Sequence, residues 1–312
     1  MTDKISLRAA YGRYLAELGD KRDDFITVDA DMCGATFVDI FRQKFPERHI
    51  RFGIAEQNMM CAAAGLATTG IIPIVNTMAV FAAMRALEMF RTSIAMPKFN
   101  VKVVASHQGI DVGNDGPTHQ CIEDMAIMRA IPNTVVLSPA DQSELQAMMR
   151  FMLDYNGPVY LRTGRSPVPG VHKKPYVFSL GCWPVIKNGT DLSIIANGVL
   201  VEKALAAAET LAADGISAQV LNASSIKPVN EEDLINKIAQ TGAIVSVEDH
   251  TVLGGIGSIV ADVLCKHKPL PLEKIGLQDC FGESGCPDEL FNKYHIDAEA
   301  ISHAAHKVLK RK

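Results

Sequence analysis

Val101-Lys-Val-Val-Ala-Ser106 runs directly into His107-Gln-Gly-Ile-Asp-Val-Gly-Asn-Asp115-Gly-Pro-Thr-His119-Gln120. The first part is an apolar, β-branched run of strand length. The second is a polar loop in which Gly109, Gly113 and Gly116 allow tight turns and Pro117 stiffens the approach to His119. In an open parallel sheet, ligands collect beyond the carboxyl ends of the strands. Two histidines and Asp115 placed there mark the edge of an active site.

Outward from this stretch, apolar runs alternate with helical patterns. Phe25-Ile-Thr-Val-Asp-Ala, Ile71-Ile-Pro-Ile-Val, Thr134-Val-Val-Leu and Val159-Tyr-Leu read as further strands. Helices are expected over 56–68 and 78–95, with another starting at Asp141. Between Gly164 and Pro184 the pattern dissolves into Pro-rich, irregular sequence. A smaller alternation comes next, with strands at 192–196, 218–221 and 243–247 and helices at 201–213, 256–265 and 298–309. The expectation is an α/β chain of two doubly wound domains, 1–168 and 189–312, joined by a connecting segment at 169–188.

The 312 residues, 48% apolar and 21% charged with a formal charge of −4, describe an ordinary soluble protein with no general nucleic-acid or membrane surface. The apolar stretch 71–96 is interrupted by Arg85, Glu88 and Arg91, so no membrane span is expected. Seven cysteines without Cys-x-x-Cys spacing suggest reduced thiols, and no secretory signal is legible, which makes the cytoplasm the expected location.

Four segments resemble transketolases, enzymes that use thiamine diphosphate to move a two-carbon ketol unit. They are Gly53-Ile-Ala-Glu56-Gln-Asn-Met-Met, the 107–120 loop, Glu248-Asp-His250 followed by Leu-Gly-Gly-Ile-Gly257, and Phe281-Gly-Glu-Ser-Gly285. The resemblance implies a pyrimidine-binding domain followed by a smaller transketolase C-terminal domain. It covers only the second half of a full-length transketolase, because the family's Gly-Asp-Gly segment, which binds a divalent metal and the cofactor's diphosphate, does not occur here. It therefore implies a partner, an N-terminal subunit carrying Gly-Asp-Gly and the ligands for Mg2+ or Ca2+. No metal ligands are expected on this chain, and an α2β2 hetero-tetramer is expected, with surfaces around 59–66 and 78–90 in its interface.

The resemblance also assigns residues. Glu56 corresponds to the carboxyl group that hydrogen-bonds the aminopyrimidine and drives it into its activating tautomer. Phe81 corresponds to an aromatic pocket wall, with Met78 and Met84 standing where further aromatics would be. Asp31 and Met32 align with residues that support the bent cofactor. Arg8, His107 and Arg165 fall at the sugar-phosphate end of the channel, with Arg162 an alternative to Arg165. Asp115 and His119 match groups that hold the sugar's hydroxyls, and His119 joins Glu56 as a catalytic residue. A family serine at the phosphate end aligns near Ala35, with Thr36 as a substitute. Gly254-Gly-Ile-Gly257 beside His250 lacks both the P-loop lysine and the Rossmann spacing, which favours close helix packing over a phosphate cradle.

The sequence thus points to one subunit of a split transketolase. The alternatives are half of a 1-deoxy-D-xylulose-5-phosphate synthase-like enzyme, which shares Gly-Ile-Ala-Glu-Gln, and a non-catalytic scaffold that keeps the fold. A 2-oxoacid dehydrogenase β subunit ranks third because it lacks the histidine loop.

Overall fold

The computed structural model describes residues 4–172 and 175–312. Residues 1–3 of the first expected domain, and Lys173 and Lys174 within the expected connecting segment, lie outside the described residues.

Seven strands form the larger sheet, in the order Ser225–Lys227, Val135–Leu137, Val159–Thr163, Lys102–Ser106, Ile72–Met78, Phe25–Asp29, His49–Arg51. All neighbours are parallel except the first pair. The three strands Ile72–Met78, Lys102–Ser106 and Val159–Thr163 are buried along their whole length, as expected for a sheet covered on both faces. From Phe25–Asp29 the chain crosses to His49–Arg51 on one side and then returns to Ile72–Met78 on the other. The crevice beyond those strand ends is therefore a topological switch point. Pairing Asp29 with Asn76, Met78 with Ser106, and Ser106 with Thr163 brings the loops after these strands side by side.

The smaller sheet has the order Leu272–Leu277, Ile244–Thr251, Leu192–Ala196, Ala218–Asn222, Val185–Lys187, parallel except at the last pair. Helices Leu200–Ala213, Ile256–His267 and Ala298–Leu309 accompany it. Strand Val185–Lys187 and the buried Trp183 fall in the stretch read as connecting segment, and Trp183 Nε1 donates to the Ser225 carbonyl at 2.7 Å. That bond tethers the strand Ser225–Lys227, which leaves the second domain to complete the edge of the first sheet. On the other side, Asp141 caps helix Gln142–Asp154 by accepting from Glu144 N at 2.9 Å. Its second oxygen accepts from Val171 N and His172 N, both at 2.8 Å, clipping the connection to that helix.

The stretch expected as one α-helix over 78–95 differs. Met78 is the last residue of its strand, held there by pairing with Ser106. Beyond it, Phe81–Arg85 and Phe90–Ala95 form π-helical turns on either side of a short α-helical turn, Leu87–Met89. Ala86 N bonds the Phe81 carbonyl, and Met96 N bonds that of Arg91, each five residues back at 3.0 Å.

Candidate active site

Gly53, with φ +65°, turns the chain out of strand His49–Arg51 so that Glu56 opens helix Glu56–Ala67. Glu56 is only 2% exposed, and fully buried Met59, Met60 and Ala63 lie after it on the helix. Both carboxylate oxygens accept from Arg85 Nη1 at 2.9 Å. Phe81, on the π-turn, meets His119 edge to face at 5.6 Å between centroids, and the His119 ring nitrogen Nδ1 shares a 2.9 Å hydrogen bond with Thr118 Oγ1. A buried carboxylate, an aromatic face and a histidine from three separate segments thus border one place. Met78 is buried at 5% whereas Met84 is 41% exposed, so the three residues spaced three apart do not line one buried helix face.

Asp31 and Met32 leave the end of strand Phe25–Asp29. Their backbone amides donate to the Asp29 carboxylate at 3.1 and 2.7 Å, and the Cys33 thiol donates to the same group at 3.0 Å. Asp31 itself sits at φ 62° and pairs with Arg51.

The other end of the 107–120 loop gathers the cations. Arg8 and Arg165 line one cavity of about 320 Å³ with Phe37, Val112 and Asn114. Arg8 Nη1 donates to the Ala35 carbonyl at 2.7 Å and lies 3.5 Å from His107 Nε2. Arg165 pairs with Asp115 at 3.1 Å and donates to the Val112 carbonyl. His107 occupies the left-handed region at φ 61°, a strained conformation for a side-chain-bearing residue and one that clusters at functional sites. Burial first, and then the charges of Arg8 and Arg165, push the His107 pKa down to about 4. The imidazole is therefore neutral at pH 7 and gains charge only as pH falls toward 4, so the positive charge at this end belongs to the two arginines.

Two of the substitutes considered for the phosphate end are already engaged. Thr36 is buried, and its hydroxyl donates to the Met32 carbonyl at 3.0 Å. Arg162 is buried in an ion pair with Asp124, at 2.8 Å and 3.0 Å, which Tyr160 also joins at 2.9 Å.

The C-terminal domain supports the loop from below. Asp249 accepts from Ile110 N at 2.8 Å and Asp111 N at 3.1 Å, and a Cβ at Gly109, where φ is +60°, would collide with that carboxyl group. Gln120 donates to the Glu283 carbonyl at 2.9 Å, and Gly113 packs against Pro287, so the Phe281–Gly285 segment buttresses the same loop. Glu248 accepts from Ile256 N at 2.7 Å and Gly257 N at 3.1 Å at the start of helix Ile256–His267, so the glycines there serve helix packing. Replacing Asp249 by alanine strands two buried amides. Stability should fall by about 2–4 kcal/mol, with a matching drop in thermal midpoint by calorimetry; an unchanged midpoint would show that the loop is held by other contacts.

Sequence reasoning missed Arg85 and Asp249. The first stands in the sequence only as a charge interrupting the apolar stretch 71–96, and the second acts 139 positions from the amide it holds.

Two doubly wound α/β domains, with a buried carboxylate, an aromatic ring and histidines converging at the switch point of the larger sheet, define a class of two-domain α/β proteins whose site lies at the strand ends. The model for the transketolase pyrimidine-binding domain matches residues 3–170, and that for the transketolase C-terminal domain matches 181–301. The chain belongs to the transketolase family. It is 42% identical to a putative transketolase C-terminal section of Methanocaldococcus jannaschii, covering 98% of this chain and 96% of that one. It is 40% identical to a 6-deoxy-6-sulfo-D-fructose transketolase subunit of a Clostridium species, covering 98% and 95%. A solved split-gene transketolase, described as an inactive β4 tetramer, superposes with a TM-score of 0.90 at 43% identity over 99% of both chains. Among the described residues, no helix is long and apolar enough to cross a membrane.

Proposed function

We propose that this chain is the pyrimidine-side subunit of a two-chain transketolase that moves a two-carbon ketol unit from a ketose phosphate to an aldose or aldose phosphate. The convergence of Glu56, Phe81 and His119 at the switch point carries this reading. The relatives that match along nearly their full length support the division of labour, since they are described as a C-terminal section and as a subunit. They favour ketol transfer over the deoxyxylulose-phosphate synthase and scaffold alternatives. The metal ion, Mg2+ or Ca2+, and the diphosphate belong to a second chain with the Gly-Asp-Gly segment, in a cytoplasmic α2β2 assembly.

The residues present fit thiamine diphosphate: a buried carboxylate for a ring nitrogen, the face of Phe81 for the pyrimidine, and Asp31 and Met32 at the adjoining strand end. When bound, the cofactor supplies a nucleophilic thiazolium carbon that breaks and re-forms the bond next to the ketose carbonyl. Glu56 shares a proton at the pyrimidine nitrogen, an interaction strengthened by its burial. His119 holds or accepts a proton at the sugar's hydroxyl, and Asp115 positions the neighbouring hydroxyl. Arg8 and Arg165 receive the phosphate dianion, and neutral His107 contributes a hydrogen bond.

This division predicts the substrate dependence of single variants. Arg165→Ala should weaken phosphorylated donors by about 1.5–3 kcal/mol while sparing hydroxypyruvate, which presents no dianion to that end of the channel. His107→Ala should discriminate in the same direction with a smaller penalty, since a neutral hydrogen bond is worth about half a charged one. Steady-state kcat/KM on both donors checks this; equal losses for both would remove these residues from the phosphate role.

A further inference from the structure

Arg85 makes two contacts at once. Its Nη1 reaches both oxygens of buried Glu56 at 2.9 Å, and its guanidinium carbon lies over the Phe81 ring, 4.5 Å from the centroid. A flat, nitrogen-bearing group that hydrogen-bonds Glu56 and stacks on Phe81 is also the chemical description of an aminopyrimidine. The side chain reaches this position because the π-turn Phe81–Arg85 sets both residues on one turn facing helix Glu56–Ala67. Its backbone is pinned, with the Arg85 carbonyl accepting from Gln57 Nε2 at 3.2 Å. The side chain is not: it is 48% exposed, against 2% for its partner.

We propose that Arg85 is a built-in stand-in for the pyrimidine, closing the site of the unloaded chain and swinging out toward solvent when the cofactor enters. The proposal rests on the assignment of thiamine diphosphate to this site and adds a residue that assignment did not contain. Glu56 is a buried carboxylate, and without a counter-charge its burial would be costly. Arg85 supplies that counter-charge while the site is unloaded. The cofactor must then compete with it both for the carboxylate and for the ring face, so only the fraction of molecules with Arg85 displaced accepts cofactor.

The test is thiamine diphosphate binding by the assembled two-chain protein with magnesium, followed by stopped-flow and by calorimetry, so that turnover is not the readout. Arg85→Ala should raise the association rate about fivefold and tighten Kd by the same factor, the scale of a half-exposed ion pair. The dissociation rate should stay unchanged. Arg85→Gln, which keeps bulk and polarity without the charge, should fall between the two and guards against a folding defect in the alanine variant. Association that is unchanged or slower in both variants, or a faster dissociation, would overturn the stand-in and make Arg85 a residue that holds Glu56 for the cofactor. A wild-type assembly that binds no thiamine diphosphate at all would overturn the functional assignment itself, and the stand-in with it.

Discussion

Replacing Glu56 by glutamine should lower ketol transfer by roughly 10²–10⁴-fold while leaving the fold and the assembly in place. The amide has the shape of the carboxyl group but cannot share a proton with a pyrimidine nitrogen. Its position leaves little room for a substitute. Glu56 is buried, and of its neighbours at the site Phe81 is apolar, His119 stands across that ring, and Arg85 offers only hydrogen-bond donors. The structural cost should be small, because the lost ion pair involves an arginine half exposed to water, worth at most about 1 kcal/mol. Circular dichroism and thermal melting of the variant should therefore match wild type within a few degrees. Near wild-type turnover by the assembled variant would show that Glu56 does not activate the cofactor.

The position of the 107–120 loop was legible because the strand before it is marked by its apolar, β-branched sequence. Val101-Lys-Val-Val-Ala-Ser106 could hardly be anything but a buried strand, and the polar loop behind it had to emerge at the carboxyl edge. Glu56 is singled out by the resemblance of Gly53-Ile-Ala-Glu56-Gln-Asn-Met-Met to transketolases, and the structure puts it, buried, at the start of a helix. The doubly wound plan came from the alternation of runs, and the order of the strands agrees with it.

The features that escaped depend on partners distant in sequence or on hydrogen-bond register. The apolar spacing at 78–95 suits an α-helix, and nothing in it reports that Phe81–Arg85 closes its bonds one residue later. In the sequence Arg85 stands only as a charge interrupting the apolar stretch 71–96, whereas its side chain crosses to Glu56. Thr36 offered a hydroxyl by position, but its turn consumes that hydroxyl. The resemblance groups His107 with Arg8 and Arg165 at the sugar-phosphate end, and its burial first, then the two arginines beside it, lower its pKa to about 4. The strand Ser225–Lys227 is short and belongs by sequence to the second domain, so its place in the first sheet could not be anticipated.

The central claim is that this chain is one half of an enzyme. In the proposed function Glu56, Phe81 and His119 serve as the pyrimidine side, and Arg8 and Arg165, which line one cavity, as the substrate end. The sequence holds no Gly-Asp-Gly segment for the diphosphate and metal. A shared site between two such chains makes two copies of each the natural closed assembly, because a two-fold axis then gives two equivalent sites.

The most direct test is a ketol-transfer assay on the pure chain, on a pure Gly-Asp-Gly partner chain, and on their mixture, each with thiamine diphosphate, magnesium and a panel of ketose phosphates, with light scattering of the mixture. The account predicts that neither chain alone turns over, that the mixture does, and that the active species has the mass of two copies of each chain. Turnover and tight cofactor binding by the pure chain alone would contradict it.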